Sequence, residues 1–248
     1  MFPVNDAELQ KPHPPTQREV QAFYDRIYRD HGLADLSPIY RRVIRLLQPV
    51  KGRALLDVAC GEGHLMLCAR EAGLVPSGID LSPEAIQRAQ TRCPEATLVV
   101  GAGEALPFPD AAFDYVTNLG SLEHYRDMDL GLREMARVLK PDGAACFILP
   151  NGFWLGDVLE VWGRGECSSG SQIIERHGTR KGWQQLLEAQ GFVVHRVLRY
   201  NRPYPLFAGS TWKVKSVRKF LWRRLFNALT PFNLSLEFIY LCRKTRSA

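Results

Sequence analysis

Apolar residues follow two different spacings along the chain. From Thr16 to Leu47 the sequence is polar with apolar residues at helical spacing, which predicts two helices ahead of the core. From Arg53 onward, short apolar runs alternate with longer amphipathic segments, an order typical of β-α-β crossovers and a parallel sheet. The predicted strands are Ala54–Ala59, Val75–Ile79, Thr97–Val100, Phe113–Asn118 and Ala144–Leu149. The predicted helices between them are Leu65–Ala72, Pro83–Arg92 and Met128–Leu139.

The C-terminal part of the chain adds a loop, a helix and two strands. A Gly/Ser-rich loop is predicted at Asn151–Gly178, and a helix around Trp183–Ala189. Two β-rich runs, Phe192–Tyr200 and Leu236–Cys242, complete the pattern.

The chain is long enough for one well-buried domain. Its 248 residues are 46% hydrophobic, which excludes a disordered protein. We expect residues 1–50 to form a helical cap and residues 51–248 a sheet domain with a basic, aromatic insertion at residues 201–233. Two turns punctuate the pattern, since Gly73 can cap a helix in left-handed geometry and the Lys140–Gly143 turn can end another.

Charge and cysteine content narrow the setting of the protein. The net charge of +6 fits nucleic acid, anionic lipid or an acidic substrate only where the positive charges cluster. None of the six cysteines forms a C-x-x-C pair, so we expect free thiols in a reducing compartment and no structural zinc. The N-terminus lacks a signal pattern, and no apolar run approaches the roughly eighteen residues of a membrane span. We therefore expect a cytoplasmic protein, at most attached peripherally to a membrane.

A ligand site is indicated where the first predicted strand meets its helix. The glycines of Ala59–Gly63 let backbone amides approach a ligand, although a tight turn without a ligand has the same sequence. Asp80 follows the second strand, where a ribose-binding acid belongs in such folds. Ser82, directly before Pro83, is the better helix cap, which leaves Asp80 free for a ligand. Met66 replaces the third glycine of a dinucleotide motif, which disfavours NAD.

Four longer segments carry a resemblance to a known family. Between Leu55 and Gly143 the chain reads, in order, LLDVACGEG, GIDLSPEAI, GAGEALPFPDAAFDYV and SLEHYRDMDLGLREMARVLKPDG. In these segments it resembles class I S-adenosylmethionine-dependent methyltransferases, particularly the group that includes ubiquinone and menaquinone biosynthesis enzymes. The resemblance implies a Rossmann-like three-layer α/β/α sandwich with a mostly parallel seven-stranded sheet and an antiparallel last strand. It also implies S-adenosylmethionine as cofactor.

The resemblance assigns one group of residues to the amino-acid and ribose parts of the cofactor. The backbone of Ala59, Gly61 and Gly63 would hold its methionine part, and Asp57 would fix this loop or the cofactor amine. Asp80 would accept hydrogen bonds from both ribose hydroxyls.

A second group is assigned to the adenine and to the reactive end. Leu81 would lie against the adenine, and Gly103 and Glu104 would meet its edge. Asn118 and Leu119 would line the site next to the sulfonium.

Two positions depart from the family pattern. Ala59 stands where the family usually has a first glycine, and Ala102 stands where many members have an aspartate for the adenine amine. Adenine recognition would then depend on backbone groups or on Glu104.

The chemistry requires few catalytic groups. Methyl transfer from a sulfonium is an in-line displacement, so the enzyme mainly aligns the nucleophile and excludes water. His124 is the best candidate for a base where the nucleophile carries a proton, and a structural histidine that packs the loop is the alternative. The Gly120–His124 stretch lacks the first ligand of the Glu-x-x-Glu-His motif of some relatives, so no metal is expected. Leu119 and Gly120 replace the Pro-Pro of nucleobase methyltransferases, which argues against a nucleic-acid substrate.

Two further segments could contact the acceptor. Tyr24 or Tyr28 belongs to a stretch that resembles the helix folding over the cofactor in relatives, although aromatic residues at this spacing also suit a plain core. Residues 211–228 combine lysines and arginines with aromatic residues and an apolar stripe, a pattern typical of an interfacial helix on anionic lipid. A solvated basic helix that covers the sheet and a helix that contacts RNA share this pattern.

The function expected from the sequence is methyl transfer to a small-molecule or lipid-like acceptor, with no obligate protein partner. The alternatives are a non-catalytic S-adenosylmethionine-binding module, a nicotinamide-dependent oxidoreductase and an RNA methyltransferase. The sequence leaves open which atom receives the methyl group.

Overall fold

Seven strands form one sheet in the computed structural model, which describes residues 14–30, 37–166, 172–201 and 224–245. The strands are β1 (Ala54–Val58), β2 (Val75–Asp80), β3 (Thr97–Val100), β4 (Phe113–Leu119), β5 (Leu139–Pro150), β6 (Phe192–Tyr200) and β7 (Glu237–Lys244). Their order is β3-β2-β1-β4-β5-β7-β6. Strands β1 to β5 pair in parallel, and β7 runs antiparallel to both β5 and β6. The predicted Rossmann-like sheet, mostly parallel with an antiparallel last strand, is confirmed.

Helices precede and separate these strands. They are α1 (Gln17–Asp30), α2 (Ser37–Leu46), α3 (His64–Glu71), α4 (Pro83–Arg92), α5 (Met128–Val138), α6 (Leu155–Arg164) and α7 (Arg180–Ala189). Residues 224–229 are helical as well. Both helices predicted ahead of the core are present.

The side chains of β1 show how the layers form. Because successive strand residues point to opposite faces, Leu55 and Leu56 enter different cores. Leu56 packs in the cluster that contains Leu132 of α5 and Trp183 of α7. Leu55 packs in the cluster that contains Val43 of α2 and residues of α3. Helices therefore cover both faces of the sheet, and α2 is part of one face.

The helix predicted to stop before Lys140 does end there, at Val138, although the predicted turn itself is absent. The Lys140–Gly143 segment does not form a separate turn, because β5 already begins at Leu139. Leu139 pairs with Phe113 and Ala144 pairs with Tyr115, so five residues of β5 advance while β4 advances two. The extra residues form a bulge inside the strand, since both flanking residues gain sheet hydrogen bonds. The other predicted stop is confirmed, because Gly73 has φ +81° just after α3.

The predicted loop at Asn151–Gly178 was wrong in part, because it contains helix α6. Gly156 and Gly163 lie inside this helix and hid its periodicity in the sequence. None of its residues is buried, and Gly165 ends it in left-handed geometry at φ +74°.

The sequence also led to expectations about membrane spans, cysteines and a basic segment. Within the described ranges, no helix is both long and apolar enough to cross a bilayer. Five cysteines of these ranges are buried and form no disulfide: Cys60, Cys68, Cys93, Cys146 and Cys242. The basic residues 211–223 lie outside the described part of the chain, as does Cys167.

Candidate active site

A cavity of about 490 Å³ opens at the carboxyl ends of β1, β2 and β4. Strand order reverses between β1 and β4, and ligands of open α/β sheets bind at this crevice. Nine residues predicted for the site line the cavity: Asp57, Ala59, Gly61, Asp80, Leu81, Gly103, Glu104, Leu119 and His124. Two do not line it, namely Gly63 and Asn118.

The loop after β1 turns through left-handed backbone geometry. Ala59 has φ +61° and Gly61 has φ +51°. An alanine seldom adopts this conformation, so the surrounding contacts must hold the loop in place. Gly63 serves helix packing, since a Cβ there would lie 3.0 Å from Met66 Cε and 3.2 Å from Ala89 Cβ.

Arginines of α4 fix this loop through Glu62, whose carboxylate is buried and lines the cavity. Arg88 Nη1 lies 2.8 Å from Glu62 Oε1, and Arg92 Nη1 lies 3.6 Å from Glu62 Oε2. The Arg92 guanidinium also donates to the Glu62 carbonyl oxygen. This cluster was not predicted from the sequence. The feature that could have predicted it is the spacing of Arg88 and Arg92, which lie one helical turn apart on the helix after β2.

Asp80 connects the two loops at the strand ends. Its Oδ2 accepts a hydrogen bond from Gly61 N at 2.8 Å, and its Oδ1 accepts one from Ser82 N at 2.9 Å. Burial raises the pKa of Asp80 to about 6, against the lowering effect of these amides. Asp80 thus bonds to both loops, and a carboxylate with two acceptor bonds retains lone pairs for a ligand. Ser82 caps α4 as predicted, because its Oγ accepts from Ala85 N at 3.3 Å.

Asp57 is buried beneath the same cavity. Its Oδ1 accepts a hydrogen bond from Thr117 Oγ1 at 2.7 Å. Burial raises the pKa of Asp57 to about 7, and the Asp80 carboxylate adds to the rise, while the Thr117 bond lowers it. Two buried carboxylates that have no cation beside them in the described residues suit a positively charged ligand.

Tyr125 occupies the space that two glycines leave open. A Cβ on Gly103 would lie 2.1 Å from Tyr125 Oη, and one on Gly131 would lie 2.6 Å from its ring. Asn118 donates from Nδ2 to Tyr125 Oη at 3.0 Å and to Val58 O at 3.1 Å. Asn118 thus supports the tyrosine from below the cavity, which corrects the expectation that it lines the site. Sequence reasoning missed Tyr125, because the contacts of its ring with Gly103 and Gly131 leave no recognisable pattern in the sequence.

His124 presents one ring nitrogen to the protein and has the other available. Nδ1 lies 2.6 Å from the Ile174 carbonyl oxygen, which can only accept, so Nδ1 carries the hydrogen. Burial lowers the pKa of His124, so the ring is neutral near pH 7 with Nε2 as an acceptor. Nε2 lies 3.6 Å from Glu123 Oε1, a carboxylate that stabilises a proton taken up there.

Helix α1 covers the cavity and is bonded to both of its ends. Gln21 Nε2 donates to Leu81 O at 3.0 Å, and Ser82 Oγ donates to the Asp25 carboxylate. At the other end, Tyr24 Oη donates to Gln172 Oε1 at 2.9 Å. Tyr24 and Tyr28 both line the cavity. The cavity therefore lies between the strand ends and α1.

In the ranges that the structure describes, no three His, Cys, Asp or Glu side chains are grouped to hold a metal ion.

Comparisons with known proteins identify the family of this chain. A methyltransferase-domain family model matches residues 56–147, which include the end of β1, strands β2 to β4 and most of the cavity-lining loops. The uncharacterized methyltransferase sll0829 of Synechocystis is 31% identical over 173 residues, covering 67% of this chain and 76% of that protein. The chain belongs to the class I S-adenosylmethionine-dependent methyltransferases.

Other relatives are similar over a smaller part. A demethylmenaquinone methyltransferase of Chlorobaculum tepidum is 37% identical over 139 residues, 53% of this chain. The chain thus spans little more than half the length of that relative, at 57%. Among solved structures, the [4+2]-cyclase SpnF superposes with a TM-score of 0.65 at 21% identity, over 94% of this chain and 98% of that one. At this identity the superposition shows the fold alone.

Proposed function

We propose that this methyltransferase binds S-adenosylmethionine in the 490 Å³ cavity and transfers its methyl group to a small-molecule or lipid-like acceptor. The observation that carries the proposal is that two carboxylates with no cation beside them in the described residues, Asp57 and Asp80, line one cavity with a neutral histidine. The cofactor supplies an activated methyl group on a positively charged sulfur.

The residues at β1, β2 and β3 fit the cofactor. Its cationic groups would compensate the buried charge of Asp57, which has no cation within hydrogen-bond reach in the described residues. Asp80 would accept from the ribose hydroxyls with the lone pairs that Gly61 and Ser82 leave unused. Leu81, Gly103 and the backbone of the Ala59–Gly61 turn complete the cradle.

The β4 side fits the acceptor. Leu119, Leu130 and Val20 of α1 supply apolar surface to the cavity. His124 would accept a proton at Nε2 from an acceptor that carries one. An apolar wall with one base suits a lipid-like molecule, and the relative named for demethylmenaquinone supports this class of acceptor.

The setting of the protein is part of the proposal. We place it in the cytoplasm, with peripheral membrane contact through residues 211–228, because this segment is basic and aromatic. The test is binding to vesicles that contain phosphatidylglycerol. We expect the wild-type protein to bind them, and a variant in which Lys213, Lys215 and Lys219 are replaced by neutral residues to lose this binding.

Cofactor binding is tested by calorimetry with adenosylhomocysteine. Asp80→Ala is expected to weaken binding by about 100-fold or more, since it removes an ionised acceptor from a buried site. Asp142→Ala, on the bulge at the opposite end of the sheet, is the control and should leave the affinity unchanged. Unchanged affinity in Asp80→Ala would contradict the assigned site.

Methyl transfer is tested with methyl-labelled cofactor and two bacterial extracts, one of lipids and one of water-soluble metabolites. We expect label in the lipid extract. A protein that binds adenosylhomocysteine yet labels neither extract would be a non-catalytic binding module.

A further inference from the structure

One oxygen of the Glu175 carboxylate is buried without a partner in the described residues. Oε1 lies 3.3 Å from His177 Nε2, whereas Oε2 is shielded from solvent and accepts no hydrogen bond there. The His177 bond holds the pKa of Glu175 below its ordinary value, so the carboxyl is ionised near pH 7. A shielded carboxylate oxygen is costly, and a positive charge that forms beside it reduces this cost.

The segment that carries Glu175 lies against the turn that carries His124. The carbonyl oxygen of Ile174 accepts from His124 Nδ1 at 2.6 Å. On the other side of Glu175, Arg176 N donates to Glu123 O at 3.2 Å. Glu175 is the residue between these two contacts, so the backbone fixes its place beside the imidazole.

Several titratable or charged groups face His124 from the elements packed against it. They are Tyr24 of α1, Glu123 of the same turn, and Glu175, Arg176 and His177 of the adjacent segment. Burial lowers the pKa of His124, and the bond to Ile174 and the Glu175 carboxylate raise it. The charges of His177 and Arg176 act in the lowering direction. Within its segment, Glu175 is therefore the side chain that favours a proton on the ring.

From this juxtaposition we infer that Glu175 is a positioning residue for methyl transfer, whose carboxylate stabilises the imidazolium that His124 forms when it accepts a proton. The inference rests on the proposed function. In that reaction the acceptor atom donates a lone pair to the methyl carbon, and the electron pair of the carbon–sulfur bond goes to sulfur. The proton of the acceptor passes to His124 Nε2 and leaves its bonding pair on the acceptor atom. Glu175 is not among the residues that line the cavity, so it acts through the imidazole, where it makes a buried cation less costly.

Glu175→Gln removes the charge and keeps an oxygen that can accept from His177. At pH 8 and saturating labelled cofactor, methyl transfer to the lipid extract should fall about 3- to 10-fold, because His124 becomes a weaker base. The rise of the rate with pH should move about 0.5–1 pH unit toward acid, since the loss of a nearby negative charge lowers the pKa of His124. The affinity for adenosylhomocysteine should stay within about twofold, because the substituted side chain does not line the cavity.

NMR of the full chain labelled with ¹⁵N-histidine measures the same coupling without methyl transfer. The ring signals of His124 are those that disappear in His124→Gln. Their titration midpoint should lie about 0.5–1 pH unit lower in Glu175→Gln than in the wild type. Glu175→Asp keeps the charge but withdraws it by one methylene, so it should cause a smaller shift in the same direction. Glu95→Gln removes an exposed carboxylate that pairs with Arg70 outside the cavity, and it is the control for the change in net charge.

Each other result overturns the inference. An unchanged midpoint of His124 in Glu175→Gln would mean that the carboxylate does not act on the ring. A slower reaction with an unchanged pH profile would assign Glu175 to the fold, and a shifted midpoint with a wild-type rate would separate it from catalysis. Should Glu175→Gln fail to fold, an unchanged midpoint in Glu175→Asp would overturn the inference in its place. Failure of the methyl-transfer proposal is recognised separately, because wild-type protein would then label neither extract.

Discussion

Aspartates at the two ends of the sheet have opposite surroundings. At the amino end, Asp114 of β4 lies 2.8 Å from Lys140 Nζ and 2.9 Å from Arg53 Nη1, and it accepts from Ala54 N at 3.0 Å. Burial raises the pKa of Asp114, but the Lys140 bond and the other partners outweigh it, so the pKa lies below its ordinary value. At the carboxyl end, burial raises the pKa of Asp57 to about 7 and that of Asp80 to about 6.

The difference separates structural from functional charge. Asp114 has its cations within the chain, so its ionised form is favoured by folding. Asp57 and Asp80 are surrounded by backbone amides, a hydroxyl and each other, so their ionised forms are costly until a cationic ligand arrives. A site that stores uncompensated charge loses stability in exchange for ligand affinity.

The largest expected effect is the pH dependence of cofactor binding. Adenosylhomocysteine should bind about 10- to 100-fold more weakly at pH 5 than at pH 8, because Asp80 and Asp57 take up protons as the pH falls through about 6 and about 7. Calorimetry across this range measures the change. Asp80→Asn should bind weakly at both pH values with a shallower pH slope. A flat wild-type profile would show that neither carboxylate must be ionised for binding.

The next effect is on stability without ligand. Asp57→Asn should raise the free energy of unfolding at pH 8 by about 1–2 kcal/mol, since it removes a buried charge and keeps the oxygen that accepts from Thr117. The sign follows from a pKa that is higher in the folded state than in the unfolded chain. The cost of the charge is present above pH 7 and fades below it, so the gain should shrink at pH 5.5.

Asp114→Asn is the matched control for that gain. It should lower the stability at pH 8, because its ionised form is the stabilised one, and the loss is modest since both cations are partly exposed to solvent. Denaturant unfolding of the two variants measures both signs. Destabilisation by both substitutions would remove the distinction between the two ends of the sheet.

The sequence predicted the parts of the site that depend on local order. Short apolar strands followed by glycines or an aspartate placed Gly61 and Asp80 correctly, because the carboxyl ends of parallel strands share one edge of a sheet. It could not reveal Tyr125, whose place depends on two glycines far apart in sequence. It also could not reveal the hydrogen bonds of Asn118 to Val58 and Tyr125, because strand periodicity gives the face of a residue but not its hydrogen-bond partners. Helix α6 was not predicted for a different reason. Its glycines are typical of a loop, and this local composition outweighed a weak helical periodicity.

The smallest expected effect concerns helix α1, which covers the cavity that Asp57 and Asp80 line. Tyr24→Phe removes the bond from Tyr24 Oη to Gln172 and keeps the ring, so α1 stays in place with one fewer attachment at the acceptor end. Hydrogen exchange of the α1 amides should speed up about fivefold, which corresponds to roughly 1 kcal/mol for one hydrogen bond. Tyr240→Phe also loses one bond, from Tyr240 Oη to the Arg180 carbonyl, but at a site away from the cavity, and should leave α1 unchanged.

Cofactor affinity should hardly change in Tyr24→Phe, because Gln21 and Asp25 still attach α1 at the cofactor end. Equal exchange in both variants would mean that α1 is held by packing alone, and the cover over the uncompensated carboxylates would then not depend on its acceptor-side contact.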